Sequence, residues 1–375
     1  MPSTNPSLRF YLAFLRVKGI GAARLRKLEG YFPTMEDAWR GSQMDFIAAG
    51  LDERSAYAIA SQRPKIDPEA ELKTLEKSGA KAITWNDQDY PRLLREVDDP
   101  PPVLFVRGEI TPADQFAVAM VGTRSATVYG RQVAELFTRE LVENKITVVS
   151  GLARGIDAVA HAAALNAGGR TIAVLGCGVD VVYPPEHRNL AAKIVEHGAI
   201  VSDYAIGTPP DRNNFPPRNR IISGLSLGVV VVEADEQSGA IITAKFAAEQ
   251  GRDVFAVPGN IFNQASRGTN RLIREGAKMA LETRDILEEL NLQMATEHVD
   301  AQMSLPLEEH EQVIYNRLSY DPIPTDELVR GLDLPAEVVN ATLSLMELKG
   351  YVRQSGGAGY ARAREPRGEY LTSDG

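Results

Sequence analysis

The residues best suited to chemistry in this chain are glycines and arginines that recur together where short apolar runs end. Gly122-Thr123-Arg124-Ser125 follows one such run, and Tyr129-Gly130-Arg131 opens the helix-like stretch beyond it. Ser150-Gly151-Leu152-Ala153-Arg154-Gly155-Ile156-Asp157 follows the next run. Glycine lets a backbone approach a ligand closely, and free N–H groups at a helix start attract an anion. Arg124 and Arg154 add planar, two-pronged cations that match phosphate oxygens. A second set repeats the pattern. Phe215-Pro216-Pro217-Arg218-Asn219-Arg220 precedes the apolar Ile221-Ile222-Ser223-Gly224-Leu225, and Ser238-Gly239 precedes Ala240-Ile241-Ile242-Thr243-Ala244-Lys245. Pro258-Gly259-Asn260 and Gly268-Thr269-Asn270-Arg271 complete it. Taken singly, each glycine is turn chemistry and each arginine a surface charge. Gathered on one edge they suit a row of phosphates better than one small ligand.

Such an edge needs a scaffold, and the intervening sequence supplies one. Residues 118–121, 147–149, 171–175, 199–201, 228–232 and 254–257 are short apolar runs, most of them β-branched and without polar alternation. Strands covered on both faces read this way. Helical segments such as Tyr129–Glu143 and Ala158–Ala167 lie between them. The alternation predicts an α/β fold, an extended Rossmann-like doubly wound and mostly parallel sheet whose ligand lies beyond the carboxyl ends of its strands.

The flanking regions differ in pattern. Residues 1–63 read as helices, with Val17-Lys18-Gly19-Ile20-Gly21 between two of them. This resembles a SAM or helix-hairpin-helix module, whose glycines bring backbone N–H groups to a DNA phosphate; a lone G-x-G is a weak signal, and a tight turn packing a small bundle is the favoured explanation. Residues 64–117 carry the run Pro100-Pro101-Pro102 and two short strand-like runs, 81–85 and 103–107, which should extend the sheet at its edge. The Rossmann-like domain is thus expected over 64–290. A polar linker, 291–307, leads to 308–375, where Glu309–Leu318, Thr325–Arg330 and Pro335–Leu348 read as helices. A hairpin with its tip at Gly356-Gly357-Ala358-Gly359 follows, and three helices with a hairpin make a winged helix.

Composition narrows the function classes. The chain has 375 residues and a net charge of −9, which at first argues against a nucleic-acid partner. The charge is unevenly placed. Residues 118–281 hold 17 Lys and Arg against 15 Asp and Glu, whereas residues 282–375 hold 8 against 18. A local basic site does not require a basic protein. A single cysteine, Cys177, excludes an internal disulfide and multi-thiolate zinc, and the five histidines lack metal-ligand spacing. No apolar run is long enough to span a membrane and no signal-peptide layout opens the chain. A cytoplasmic protein without metal or cofactor is the expectation.

Missing motifs remove further classes. There is no G-x-x-x-x-G-K-[ST], and Gly176-Cys177-Gly178-Val179-Asp180-Val181 lacks the third glycine of a dinucleotide fingerprint. Ser150 stands where an acidic residue would hold a ribose. His161 and Cys177 read as packed residues, and Asp157 as a brace for its loop. A nucleotide- or nucleoside-phosphate-binding enzyme or sensor remains the alternative, with Asp157, Glu233 or Asp235 as acid or nucleophile.

As an ordered set, Gly122-Thr123-Arg124, the Ser150–Asp157 loop, Phe215–Ile222, Ser238–Thr243 and Val257-Pro258-Gly259 closely resemble the DNA-processing protein A, or Smf, family. The resemblance implies a domain that binds single-stranded DNA and dimerises, and loading of the RecA recombinase onto strands taken up in natural transformation. With the missing motifs, the expectation is a binding protein without a catalytic residue. Carried over by motif, the DNA-binding residues are Gly122, Thr123, Arg124, Gly151, Arg154, Gly155, Phe215, Arg218, Asn219, Arg220, Ser238, Gly239, Thr243 and Lys245. Asp203 stands where the family commonly has Glu, which leaves a structural role with a shorter reach. The presumed recognition helix of the winged helix, taken through Lys349, carries two Glu and one Lys, so a protein-contact or regulatory role suits it better than duplex reading. Arg353, Arg362 and Arg364 are the wing residues that could touch DNA.

Overall fold

The computed structural model of the chain describes residues 5–292, 309–319, 323–332, 334–348, 352–355 and 359–362. The chain divides into two compact units, residues 1–293 and 294–375.

The first unit opens with helices α1 (Leu8–Arg16), α2 (Ala22–Tyr31), α3 (Met35–Arg40), α4 (Gln43–Ala48), α5 (Glu53–Gln62) and α6 (Pro68–Ser78). Their starts are set by local chemistry. Thr34, Ser42, Asp52 and Asp67 each accept a backbone N–H as N-caps, and Pro68 follows its cap where no donor is needed. Gly19, at φ +91°, turns the chain between α1 and α2, so the glycine pair does lie in a helical hairpin. These helices share one hydrophobic cluster with the sheet, running from Phe14, Leu25 and Phe46 through Trp85 and Phe105 to Val149 and Val201. A polar knot reinforces the junction. Glu29 on α2 accepts from Trp85 Nε1 at 2.9 Å, from Asn86 at 3.1 Å and from the Tyr11 hydroxyl.

The sheet contains β1 (Lys81–Thr84), β2 (Val103–Gly108), β3 (Ala117–Val121), β4 (Thr147–Ser150), β5 (Thr171–Val174), β6 (Ala199–Ser202), β7 (Gly228–Val231), β8 (Asp253–Ala256) and β9 (Lys278–Met279). Its order is β1-β2-β6-β5-β4-β3-β7-β8-β9. From β6 to β9 every neighbour is parallel, whereas β1 and β2 form an antiparallel ribbon attached antiparallel to β6. The mostly parallel sheet expected from the alternation is present, and the proline-rich stretch does add strands at its edge. Every residue of β3, β4, β5, β6 and β7 is buried, which explains their unbroken apolar sequence.

Helices α7 (Arg92–Arg95), α8 (Val128–Glu143), α9 (Ile156–Asn166), α10 (Arg188–His197), α11 (Phe215–Gly224), α12 (Gly239–Glu249), α13 (Gln264–Arg274) and α14 (Thr283–Glu289) complete the unit. From β3 the chain steps outward through β4, β5 and β6, then returns to the other side of β3 for β7, β8 and β9. The order therefore reverses between β3 and β7, the switch point at whose carboxyl ends open α/β sheets form their ligand crevice.

The second unit has α15 (Glu309–Arg317), α16 (Thr325–Gly331) and α17 (Ala336–Leu348), with β10 (Ile323–Pro324), β11 (Val352–Ser355) and β12 (Gly359–Arg362) in the order β10-β12-β11. Ile314, Leu318, Leu328, Val339, Leu343, Met346, Val352 and Tyr360 form its core. This is the expected winged-helix arrangement. Gly356, Gly357 and Ala358 of the hairpin tip, Arg364, and all but the first two residues of the 291–307 linker lie outside the described residues.

Candidate nucleic-acid interface

The crevice between β3 and β7 is held by backbone latches. Thr123 N–H donates to Glu233 O at 2.7 Å, and Ile156 N–H donates to Thr123 O at 3.2 Å. Gly155 has φ +77°, and a Cβ there would strike the carbonyls of Thr123 and Arg124. Glycine is therefore required twice over, by conformation and by contact. A Cβ on Gly122 would lie 2.5 Å from Ile156 Cγ1. These contacts fix the loop that presents Arg124. Its side chain is exposed, lies 5.9 Å from the Phe215 ring and forms no ion pair among the described residues. Phe215 in turn stacks on Tyr183 at 5.5 Å between ring centroids and 27° between planes. A free guanidinium over an aromatic pair is suited to phosphate and base together.

Arg218 and Arg220 depart from the expectation of a second open cationic patch. Arg218 is 5% exposed, and its Nη1 donates to Gly151 O at 2.9 Å and to Val174 O. It ties together the carboxyl ends of β4 and β5. Asp157 lies beside it and accepts from Gly151 N at 3.1 Å and Ala153 N at 3.3 Å. Burial pushes the Asp157 carboxyl up against the opposing pull of Arg218, and burial likewise lowers the Arg218 guanidinium. Gly151 leaves room for both groups, since a Cβ would sit 2.8 Å from each. The brace expected of Asp157 is thus present. Arg220 pairs with Asp203 at 2.9 Å and with Asp99 at 3.3 Å, while its Nη1 is buried without a partner. The physical reason is helical spacing. Phe215 sits at the edge, and the turn that follows places Arg218, Asn219, Ile221 and Ile222 against the sheet.

The remaining candidates divide in the same way. Arg154 is exposed but paired with Glu186 at 2.6 Å. Asn219 Nδ2 donates to Gly239 O at 3.2 Å, joining α11 to α12. Ser238 caps α12 through Ala240 N, Gly239 is open to solvent, Thr243 is buried and Lys245 is exposed farther along that helix. Arg124, Gly151, Phe215 and Arg218 therefore meet around one ring and one loop. Arg220 and Lys245 stand apart from them.

One feature of the crevice was not evident from the motifs. Glu233, 1% exposed at the end of β7, accepts from Thr127 N at 2.9 Å and from Thr127 Oγ1 at 2.5 Å. Thr127 Oγ1 accepts from Gly130 N at 3.1 Å, and a Cβ on Gly130 would collide with the Glu233 carboxylate. The anion-ready start of α8 is filled by the protein's own carboxylate. His161 is fully buried with Nδ1 2.6 Å from Thr171 Oγ1, and burial pushes its imidazole down to about 3. Burial pushes the Cys177 thiol up to about 11. Among the described residues no group of three or more His, Cys, Asp or Glu could hold a metal ion, and no helix is long and apolar enough to cross a membrane.

A doubly wound sheet with glycine-lined carboxyl loops, followed by a winged-helix unit, defines a Rossmann-like binding protein. The family described as DNA recombination-mediator protein A matches residues 81–291, and the DprA winged helix domain matches residues 300–358. The chain belongs to this DNA-processing family, whose members are also named DprA and Smf. It is 35% identical to Protein Smf of Synechocystis over 96% of this chain and 99% of that protein, and 38% identical to Protein Smf of Escherichia coli over 87% and 90%. The crystal structure of DNA processing protein A from Streptococcus pneumoniae superposes with a TM-score of 0.66 at 36% identity, covering 77% of this chain and 99% of that one. A structure of DNA processing protein A from Helicobacter pylori, described for its single-stranded DNA binding mode, gives 0.51 at 30% identity over 56% and 95%.

Proposed function

We propose that this chain is a single-stranded DNA-binding recombination mediator that protects incoming strands and loads RecA during natural transformation. It acts in the cytoplasm as a homodimer through the Rossmann-like domain at 64–290, with the helical module 1–63 and the winged helix 308–375 as its flanking parts. The observation that carries the DNA reading is Arg124, an unpaired cation held over Phe215 at the crevice. Gly122, Thr123, Arg154, Phe215, Ser238, Gly239 and Lys245 are its proposed companions in contact. Gly151, Gly155, Arg218, Asn219, Arg220 and Thr243 hold the loops that present them. The H. pylori relative's single-strand binding supports the substrate class. The RecA and dimer assignments rest on family membership.

The nucleotide-enzyme alternative has less support, because Asp157 and Glu233 already bond to loop and helix N–H groups. The test is salt-dependent binding of a 20-nucleotide dT strand and of a duplex, by wild type and Arg124→Ala. Wild type should prefer the single strand, with affinity falling steeply as salt rises. Tighter binding to duplex, or equal binding by the variant, would overturn the proposal. RecA strand-exchange assays with the same protein test the loading step.

A further inference from the structure

Five of the exposed large apolar side chains among the described residues follow the carboxyl ends of strands of the sheet: Val128, Tyr129, Tyr183, Ile261 and Phe262. Phe262 is the most exposed of them at 87%. It sits in the loop 257–263 between β8 and α13, and that loop is braced at several points. Asn270 both donates to Gly259 O at 2.9 Å and accepts from Gly259 N at 3.1 Å. Phe262 N–H donates to Asn260 Oδ1 at 2.9 Å, and Asn263 caps α13 through Ala265 N. A rigid loop that holds an aromatic ring in water is a feature that folding alone does not call for.

The same loop is joined to the crevice. The Tyr129 hydroxyl, on the first turn of α8, donates to Pro258 O at 3.1 Å. Ala234, next to Glu233, donates to Ala265 O and accepts from Gly268 N, both at 2.8 Å. Two strand steps separate β3, which leads to Arg124, from β8, which leads to Phe262, or about 10 Å across the sheet. Arg267, one turn into α13, is exposed and forms no ion pair among the described residues.

We propose that Phe262 is a stacking platform for a base of single-stranded DNA whose phosphates run along the edge past Arg124. The occupant is a base, because the ring stands in water on a loop that the Tyr129–Pro258 bond joins to the helix following the Arg124 loop, with the unpaired Arg267 five residues further on. A strand tracked by its phosphates offers the faces of its bases to aromatic side chains along the same groove. The inference rests on the single-strand reading above, and the experiment separates the two.

Full-length wild type, Phe262→Ala and Phe262→Trp are titrated with a 20-nucleotide dT strand and with an abasic strand of equal phosphate number. Trp39 and Trp85 are both under 10% exposed, so a tryptophan at 262 supplies a distinct solvent-facing signal. Phe262→Ala should bind dT about tenfold more weakly and the abasic strand unchanged. Fluorescence of Phe262→Trp should be quenched by dT and not by the abasic strand. If wild type binds dT and Phe262→Ala binds it equally well, the platform is overturned while the single-strand reading stands. If wild type binds neither strand, both fall. Loss of dT binding only in parallel with a smaller sedimenting species would assign the ring to a second copy of the chain and overturn the proposal.

Discussion

Arg124 and Arg218 lie almost equally far from the Phe215 ring, at 5.9 and 6.0 Å, and differ in everything that decides their role. Arg124 is exposed and unpaired, so replacing it with alanine should leave stability within about 0.5 kcal/mol of wild type. Single-strand affinity should fall by about 1–3 kcal/mol, with a shallower salt dependence in anisotropy titrations. Arg218→Ala removes a buried cation from Gly151 O, Val174 O and the neighbouring Asp157. Leaving Asp157 uncompensated should cost on the order of 3–5 kcal/mol in urea unfolding. A variant as stable as wild type would show that Arg218 is no strut. His161 sets a pH dependence. An unfolded histidine takes up its proton near pH 6.5, while His161, kept neutral by burial and by the nearby His187 and Arg218, does so at about 3. Between those values the unfolded chain binds more protons, so this contribution is complete above about pH 6.5 and is lost as pH falls. His161→Gln should flatten thermal stability between pH 7 and 5 relative to wild type; parallel curves would exclude the assignment.

At the scale of elements, α8 is the clearest case of a helix whose start is completed from far away in sequence. Its N-cap Thr127 is local, but the carboxylate that binds Thr127 comes from Glu233, 106 positions on. Glu233→Ala should cost about 1–3 kcal/mol and expose the Thr127 N–H. Inorganic phosphate should then raise the melting temperature of the variant more than that of wild type. Equal shifts would show that the helix start has no anion site to vacate. The same element marks where sequence reading stops. The strands of the parallel sheet were legible because burial on both faces writes an unbroken apolar run, as in Val229–Val232. Strand β9 is two residues long, one of them Lys278, and leaves no such trace. Arg124 and Gly155 could be found because their loops combine glycine with a cation. The inward turn of Arg218 and Arg220 could not, since the motif gives residue types and not their partners. The apolar helix after Pro216-Pro217 was the available signal, because the positions around it face the sheet.

For the whole molecule the decisive quantity is how charge divides between the two compact units. Residues 1–293 carry 34 Lys and Arg against 36 Asp and Glu, and residues 294–375 carry 7 against 14. The winged-helix unit is therefore strongly acidic for its size, at −7 against −2 for the larger unit. A domain that reads duplex DNA normally brings a positive face to the phosphates beside the groove. An acidic one instead repels a polyanion at long range, and that repulsion is screened beyond about 8 Å at physiological salt. Each unit has its own hydrophobic core, so removing residues 294–375 should leave residues 1–293 folded with a cooperative transition. The truncated protein should bind single strands at least as tightly as the full chain, several-fold more tightly at 50 mM salt and equally at 300 mM. Titrations at both salt concentrations check this directly. If truncation instead abolishes binding, or removes a duplex affinity that the full chain possesses, the winged helix is a DNA-contacting element despite its charge.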